Sequence, residues 1–272
     1  MGHHHRSNHA DAFGQQGILH RVQSAEREGF TRRPIRPRPR HAEQEAGCDG
    51  GGTSMKNIYI DLETIPNQTP EYRAKVRENI KPPATIKKPE SIMQWLEENA
   101  ETATDEAVAK TSFDPAYGHI CCIGYAIEDG PTVSLSAETT DREPIILQQF
   151  FDALPKMGMA CFIGHNVAAF DMRFILCRSI VLGVRIPTII PRDIKPWSQD
   201  IFDTMTAWAG VRNTISQDRL ADALGLAGKG DFDGSMVAAA WANGEHAKIA
   251  DYCKRDVETV RAIHSRFVAV GF

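Results

Sequence analysis

Met159-Ala-Cys-Phe-Ile-Gly-His-Asn-Val-Ala-Ala-Phe-Asp171-Met-Arg-Phe-Ile-Leu-Cys-Arg-Ser-Ile-Val-Leu182 reads as two elements joined by a polar turn. Met159–Gly164 is a short apolar run closed by glycine, the mark of a buried strand. After His165-Asn166 a helix is expected from about Phe170 to Leu182. Asp171 falls in its first turn, where the partial positive charge of the helix end favours a carboxylate. Strand handing over to helix is the repeating step of an α/β fold, and the rest of the chain can be read outward from it.

Upstream, Lys56-Asn-Ile-Tyr-Ile-Asp61 alternates into a short strand that stops at acidic residues. Residues 66–118 form a polar, proline-bearing excursion with two expected helices, roughly Pro70–Asn79 and Ser91–Asn99. His119–Ile127 and Thr132–Ser136 are β-branched, apolar runs, and the Asp129-Gly130 step between them signals a hairpin turn. A helix is expected over Glu143–Leu154. Further helices are expected near Ser216–Leu224, Met236–Asn243 and Glu245–Phe267. Strands that begin as a hairpin and then alternate with helices predict one α/β domain over residues 55–272, a mixed sheet flanked by helices.

The chain has 272 residues, 42% hydrophobic and 24% charged, an ordinary composition for a globular protein. No run approaches the ~20 apolar residues of a membrane-spanning helix, and no secretory signal opens it. The cysteines Cys48, Cys121, Cys122, Cys161, Cys177 and Cys253 form no CxxC pair, and several lie in apolar runs. They read as reduced core thiols of a cytoplasmic protein, and no zinc site is expected. Residues 1–54 differ from the rest: they hold eight arginines, no lysine and the run Thr31-Arg-Arg-Pro-Ile-Arg-Pro-Arg-Pro-Arg40. Without an apolar period, and with repeated prolines, they are expected to form a disordered tail. The three histidines after Met1-Gly2 suggest a tag, and Met55 is an alternative start. A basic arm touching phosphates is the functional alternative. The net charge is −4, and because the tail's eight arginines outnumber its six acidic residues the remainder of the chain carries −6. It argues against a sequence-independent duplex binder, but not against a nuclease whose metal ions supply positive charge where phosphate binds.

Three acidic constellations carry chemistry. In Asp61-Leu-Glu63 two carboxylates project to one face of a strand, an expensive burial unless a cation neutralises them. Phe162-Ile-Gly-His-Asn166 followed by Ala169-Phe-Asp171 places an aspartate where a strand passes into a helix. Tyr252-Cys-Lys-Arg-Asp256 sets a phenol and a carboxylate on one face of the last helix. Each has an ordinary explanation when taken alone: a solvated strand end, a first-turn helix acid, a Tyr–Asp hydrogen bond.

Together and in this order, DxE, N-x4-D and Y-x3-D resemble the DEDD superfamily of 3′→5′ exonucleases. The branch is the one with tyrosine in the third motif, the family of the proofreading domains of DNA polymerases. The histidine branch carries His five residues before the last Asp, where this chain has Asp251. Phe113-Asp-Pro-Ala-Tyr-Gly-His-Ile120, Asp200-Ile-Phe-Asp203 and Gly228-Lys-Gly-Asp-Phe-Asp-Gly-Ser-Met-Val237 look like segments of stand-alone exonucleases related to the exonuclease domain of family B DNA polymerases.

The resemblance implies an RNase H-like fold and two divalent ions, Mg²⁺ or Mn²⁺. Asp61, Glu63 and Asp256 would hold one ion, and Asp61 with Asp171 the other. Tyr252 would orient the attacking water, since a phenol with an ordinary pKa of ~10 is a poor base. By the same analogy the backbone around Leu62 and Thr64 contacts the terminal nucleotide. Asn166 and Phe170 are further expected substrate contacts, and Phe170 either stacks on a nucleobase or packs beside the strand. Lys229, between two glycines, either reaches a phosphate or is a solvated turn residue. Asp203 is a supporting acid or a helix cap, and His165 is expected to hydrogen-bond locally. The implied partner is a nucleic acid with a single-stranded or frayed 3′ end, DNA favoured over RNA, with proofreading in trans beside a polymerase or repair partner. A 3′ RNA trimming nuclease and a catalytically inactive nucleic-acid-binding module are the alternatives.

Overall fold

The structure is a computed structural model that describes residues 55–156, 158–195, 198–226, 228 and 230–272. The tail reading of residues 1–54 and the phosphate contact expected of Lys229 lie outside the described residues.

Five strands form one sheet in the order β3-β2-β1-β4-β5. Strand β1, Lys56–Ile65, lies at its centre. It pairs antiparallel with β2, His119–Ile127, and parallel with β4, Ala160–Gly164. The short β3, Val133–Ser136, continues the hairpin outward from β2. On the other side β5, Ile201–Asp203, runs parallel to β4. A central strand flanked by one antiparallel and one parallel neighbour gives the RNase H-like mixed sheet that the resemblance implies.

Alternation along β1 divides the core. Ile58, Ile60 and Leu62 pack on one side with Phe150, Leu147 and Ile146 of α3, Glu143–Ala153, and with Phe174 and Ile175 of α4, Asp171–Leu182. Tyr59 faces the other side, against Val257 and Val260 of α8, His246–Ala269. Asp61 and Glu63 share the parity of Tyr59 and so come out beneath α8. Strand β1 does not stop at Asp61 as the sequence suggested. Its apolar alternation resumes at Leu62 and Ile65, and pairing with β2 carries on past a register shift between Glu63 and Thr64.

Helix α8 lies close to the sheet because β2 presents Gly124 there. A Cβ on that residue would come within 2.7 Å of Cys253 Sγ and 3.0 Å of Val257 Cγ2. The missing side chain sets how deeply α8 can carry its residues toward β1. At the far end of α4, Gly183 adopts the left-handed conformation (φ 69°) that closes a helix.

The excursion between β1 and β2 is a helical hairpin. Helix α1, Pro70–Asn79, matches its predicted span. Helix α2, Pro89–Ala109, runs well beyond the predicted Ser91–Asn99. Its second half buries only Ala100 and Thr104, so no apolar period marks it, yet its alanines and glutamates favour helix. Ion pairs from Arg73 and Arg77 to Glu101 and Asp105 join the two helices on the surface, each contributing little alone. A 3₁₀ turn, Lys110–Phe113, then leads back to the sheet. After β5 come α5, Thr204–Ala209, α6, Gln217–Ala223, and α7, Val237–Ala242. Among the described residues no helix is long and apolar enough to cross a membrane. Of the described cysteines, none is in a disulfide; Cys121, Cys122 and Cys253 are buried, whereas Cys161 and Cys177 are half-buried.

Candidate active site

Three elements deliver acidic side chains to one cleft of about 410 Å³. Strand β1 brings Asp61 and Glu63, the first turn of α4 brings Asp171, and α8 brings Tyr252 and Asp256. Glu63, Asp171, Tyr252 and Asp256 are buried, and Asp61 is half-buried. Of the other residues singled out from the sequence, Leu62, Thr64, His165 and Phe170 also line the cleft.

Asn166 does not line it; this residue shapes the turn that feeds α4. It adopts a left-handed φ of 62°, which asparagine tolerates better than most residues. Its amide donates to Asp203 Oδ1 at 3.0 Å, and the Ala168 amide donates to Asp203 Oδ2 at 3.2 Å. Asp203 also caps α5, accepting from the amides of Met205 and Thr206. Both readings of Asp203 therefore hold: it is a helix cap, and it holds the turn that aims Asp171. His165 hydrogen-bonds locally, through Nδ1 with Thr204 Oγ1 at 3.0 Å and through Nε2 with the Ile215 carbonyl at 2.8 Å.

The Leu62 amide donates to Asp171 Oδ1 at 3.0 Å, which ties the second motif to the first across the sheet. Burial pushes the Asp171 carboxyl up to about 8, and the neighbouring Asp203 and Asp256 add to the effect against the hydrogen bonds that oppose it. Burial likewise raises the Tyr252 phenol far above its usual range, reinforced by Asp256, Glu63 and Asp61. The phenol therefore stays protonated at neutral pH, and it shares a hydrogen bond with Asp256. Its ring is held edge-on against Phe232 at 5.0 Å.

Sequence reasoning missed several residues here. Ligand atoms of Asp61, Glu63 and Cys253 lie within 4.8 Å of one another. The Cys253 thiol donates to the Asp61 carbonyl at 3.4 Å, and burial keeps its pKa well above the usual thiol range. It thus serves as a donor that braces Asp61. The signal was present, since Cys253 precedes Asp256 by three positions and shares its inward helix face. Gln217 lines the cleft and donates to the Asp256 carbonyl at 3.0 Å. Ser112, Phe113, Gly234 and Ser235 complete the walls; Phe113, Gly234 and Ser235 lie in the segments that carry the family resemblance, whereas nothing in the sequence marks Ser112.

Such a donor set suits hard divalent cations, which take oxygen ligands. A carboxyl raised to about 8 by burial, with the neighbouring Asp203 and Asp256 adding to it, is a group whose charged form a bound cation would favour. A second hollow of about 500 Å³, between Trp208, Leu224, Phe267 and Val270, is larger but almost wholly apolar. It has no acid in its wall and offers no comparable chemistry.

A search of curated proteins finds no match. Among solved structures the fold is similar to the family B DNA polymerase from the hyperthermophilic archaeon Pyrobaculum calidifontis, at 15% identity and a TM-score of 0.49. That likeness covers 79% of this chain and 25% of the polymerase, so the chain spans about a quarter of the polymerase's length. Residues 117–270 match the model of a family described as predicted 3′-5′ exonucleases related to the exonuclease domain of PolB. The match contains Asp171, Tyr252 and Asp256, and the fold adds Asp61 and Glu63 from β1, N-terminal to it. By that match over more than half of its length, the chain belongs to the family of predicted 3′→5′ exonucleases related to the exonuclease domain of the family B DNA polymerases.

Proposed function

We propose that this chain is a metal-dependent 3′→5′ exonuclease that removes nucleoside 5′-monophosphates from single-stranded or frayed DNA 3′ ends. The observation that carries this reading is the convergence of four carboxylates and a protonated tyrosine from β1, α4 and α8 on one cleft. Asp61, Glu63 and Asp256 would hold one divalent ion, and Asp61 with Asp171 the other, Mg²⁺ or Mn²⁺ in either place. When bound, such ions acidify the attacking water and stabilise charge on the leaving oxygen.

The chain's own groups do the positioning. The Leu62 amide and the Asp203-braced turn fix Asp171, and the Cys253 thiol braces Asp61. Tyr252 orients the attacking water rather than deprotonating it, because a phenol raised by burial is a weaker acid and does not ionise at neutral pH. Its phenolic oxygen accepts from the water while its proton is engaged toward Asp256. Three buried carboxylates beside the half-buried Asp61 exceed what a scaffold that merely binds nucleic acid would need, and this favours the catalyst over an inactive module.

The test is to incubate the protein with 5′-labelled single-stranded DNA and RNA of matched sequence, with and without Mn²⁺. A ladder that shortens from the 3′ end of DNA only when metal is present is expected. Shortening of RNA alone would make the chain an exoribonuclease, and no shortening of either would overturn the nuclease reading.

A further inference from the structure

The excursion between β1 and β2 had no assignable role in the sequence, and all but its last two residues lie outside the span 117–270 that matches the exonuclease family. Its first helix, α1, buries none of its side chains, and its three basic residues part into two groups. Arg73 and Arg77, one turn apart, pair with Glu101 and Asp105 of α2. Lys75 has no ion pair among the described residues. It lines a hollow of about 300 Å³ with Tyr72, Val76 and Asn79, which share its face of the helix, and with Ile80 and Tyr117. The Tyr72 and Tyr117 rings lie 4.7 Å apart between centroids, tilted by 37°, and Tyr117 is 41% exposed. Tyr117 thus leans on a neighbouring ring while much of its own faces solvent.

The hollow and the carboxylate cleft share one strip of chain. Ser112 and Phe113 line the cleft, and Tyr117 lines the hollow four residues further on. Four residues of chain span at most ~14 Å. Here they span less, because the Gly118 amide turns back onto the Asp114 carbonyl at 2.8 Å. Asn67 ties both ends of the strip to the segment that leaves β1. Its amide donates to the Thr111 hydroxyl and its side-chain nitrogen to the Tyr117 carbonyl, each at 2.8 Å. A strand whose 3′ end occupies the cleft and whose backbone follows this strip therefore reaches the hollow within a few nucleotides.

We propose that this hollow is a second nucleic-acid site, in which Tyr117 stacks on a base upstream of the 3′ end and Lys75 meets a phosphate beside it. The inference rests on the nuclease reading above and adds a contact outside the carboxylate cleft, supplied by the excursion. Every nucleobase carries a π-face that an exposed tyrosine ring matches, whatever the sequence. Residues 55–272 carry a net −6, which repels a polyanion, so an unpaired cation beside such a ring marks where the strand is held. An apolar peptide in the same hollow would cover the ring and leave Lys75 without a partner. The excursion then acts as an arm that grips the strand behind its reacting end.

Tyr117→Ala, Tyr117→Trp and Lys75→Gln, compared with wild type, test it on single-stranded DNA and RNA of two, six and twelve nucleotides, with Kd read by fluorescence anisotropy in Ca²⁺. On the longest strand Tyr117→Ala is expected to raise Kd by about five- to a hundredfold, the range for one stacked base, and Tyr117→Trp to keep it. Lys75→Gln should lower the slope of log affinity against log salt by about 0.7, the share of one phosphate on a single strand. Both losses should shrink as the strand shortens and be absent for the dinucleotide, which cannot reach from the cleft to the hollow. Should Tyr117→Ala fail to fold, the salt slope of the surface variant Lys75→Gln carries the test. Unchanged affinity and salt slope on the longest strand, or an equal loss on the dinucleotide, would overturn the site. If wild type binds but cleaves neither nucleic acid, the nuclease reading fails, and the dependence on length still decides the hollow.

Discussion

Helix α4 carries a buried acid at its start and a buried base about two turns later, and the fold treats the two ends in opposite ways. At the far end Arg178 meets the fully buried Glu143 of α3 with both guanidinium arms, at 2.7 Å each. Burial pushes the Glu143 carboxyl up, yet hydrogen bonds from His119, Arg178 and the Ile120 amide hold it below the usual carboxylate range. At the near end Asp171 is buried beside Asp203 and Asp256, and its carboxyl rises to about 8. Both are buried carboxylates. One is balanced by a cation that the chain provides, and the other sits among acids, where a cation from solution has a place. The first arrangement is structural, and on the proposed function the second is chemical.

Exchanging the charges at the two ends should give unlike losses. Asp171→Asn is expected to lower turnover about a thousandfold or more, measured in single-turnover assays, because metal-based stabilisation of transition-state charge amounts to several kcal/mol. In chelator the same variant should melt higher than wild type, since repulsion with Asp203 and Asp256 is relieved.

Arg178→Met should do the reverse. It strands Glu143 in the core and should cost about 3–5 kcal/mol of stability by denaturant melt. The protein that stays folded should keep nearly normal turnover. A double variant that also carries Glu143→Leu should recover most of the loss; if it does not, the pair does more than balance charge.

Smaller in effect is Tyr252→Phe, which keeps the ring against Phe232 and removes only the hydroxyl. Loss of one water-orienting hydrogen bond should slow single turnover roughly ten- to a hundredfold, about 1.5–3 kcal/mol. The shift in melting temperature caused by Mn²⁺ should survive. A loss as large as that of Asp171→Asn would make the tyrosine a base after all.

The comparison also has a pH signature in metal-free protein. Glu143 is lowered in the fold, so its contribution is complete above the unfolded value of ~4.3 and is lost as pH falls through the lower folded value. Asp171 is raised, from ~3.9 unfolded to about 8 folded. The folded state therefore binds the extra proton across that window, and stability declines as pH rises through it. In chelator, melting followed against pH should decline from mildly acid toward about pH 8. Asp171→Asn should flatten that decline and leave the acid limb in place.

Much of this was legible in the sequence, for reasons that differ by residue. Strand β2 and helix α1 were found at their observed spans because a continuous apolar run and proline placement mark them directly. Strand β5 was not, since three residues cannot display a period, and α5 is six residues long. The four carboxylates and Tyr252 were visible because motif spacing survives without knowledge of contacts. Gly124 and Gln217 were not, because their roles depend on what faces them across the fold. The Glu143–Arg178 pair escaped for the same reason: it joins two helices through a contact that no local spacing records.

The most direct measurement is Mn²⁺ binding to wild type and Asp171→Asn, followed by calorimetry and by the rise in melting temperature. The account predicts that wild type binds two ions and gains stability saturably, and that the variant loses one ion and part of the gain while staying folded. Equal binding by the two proteins would contradict it, because Asp171 would then be a buried acid with no metal to hold.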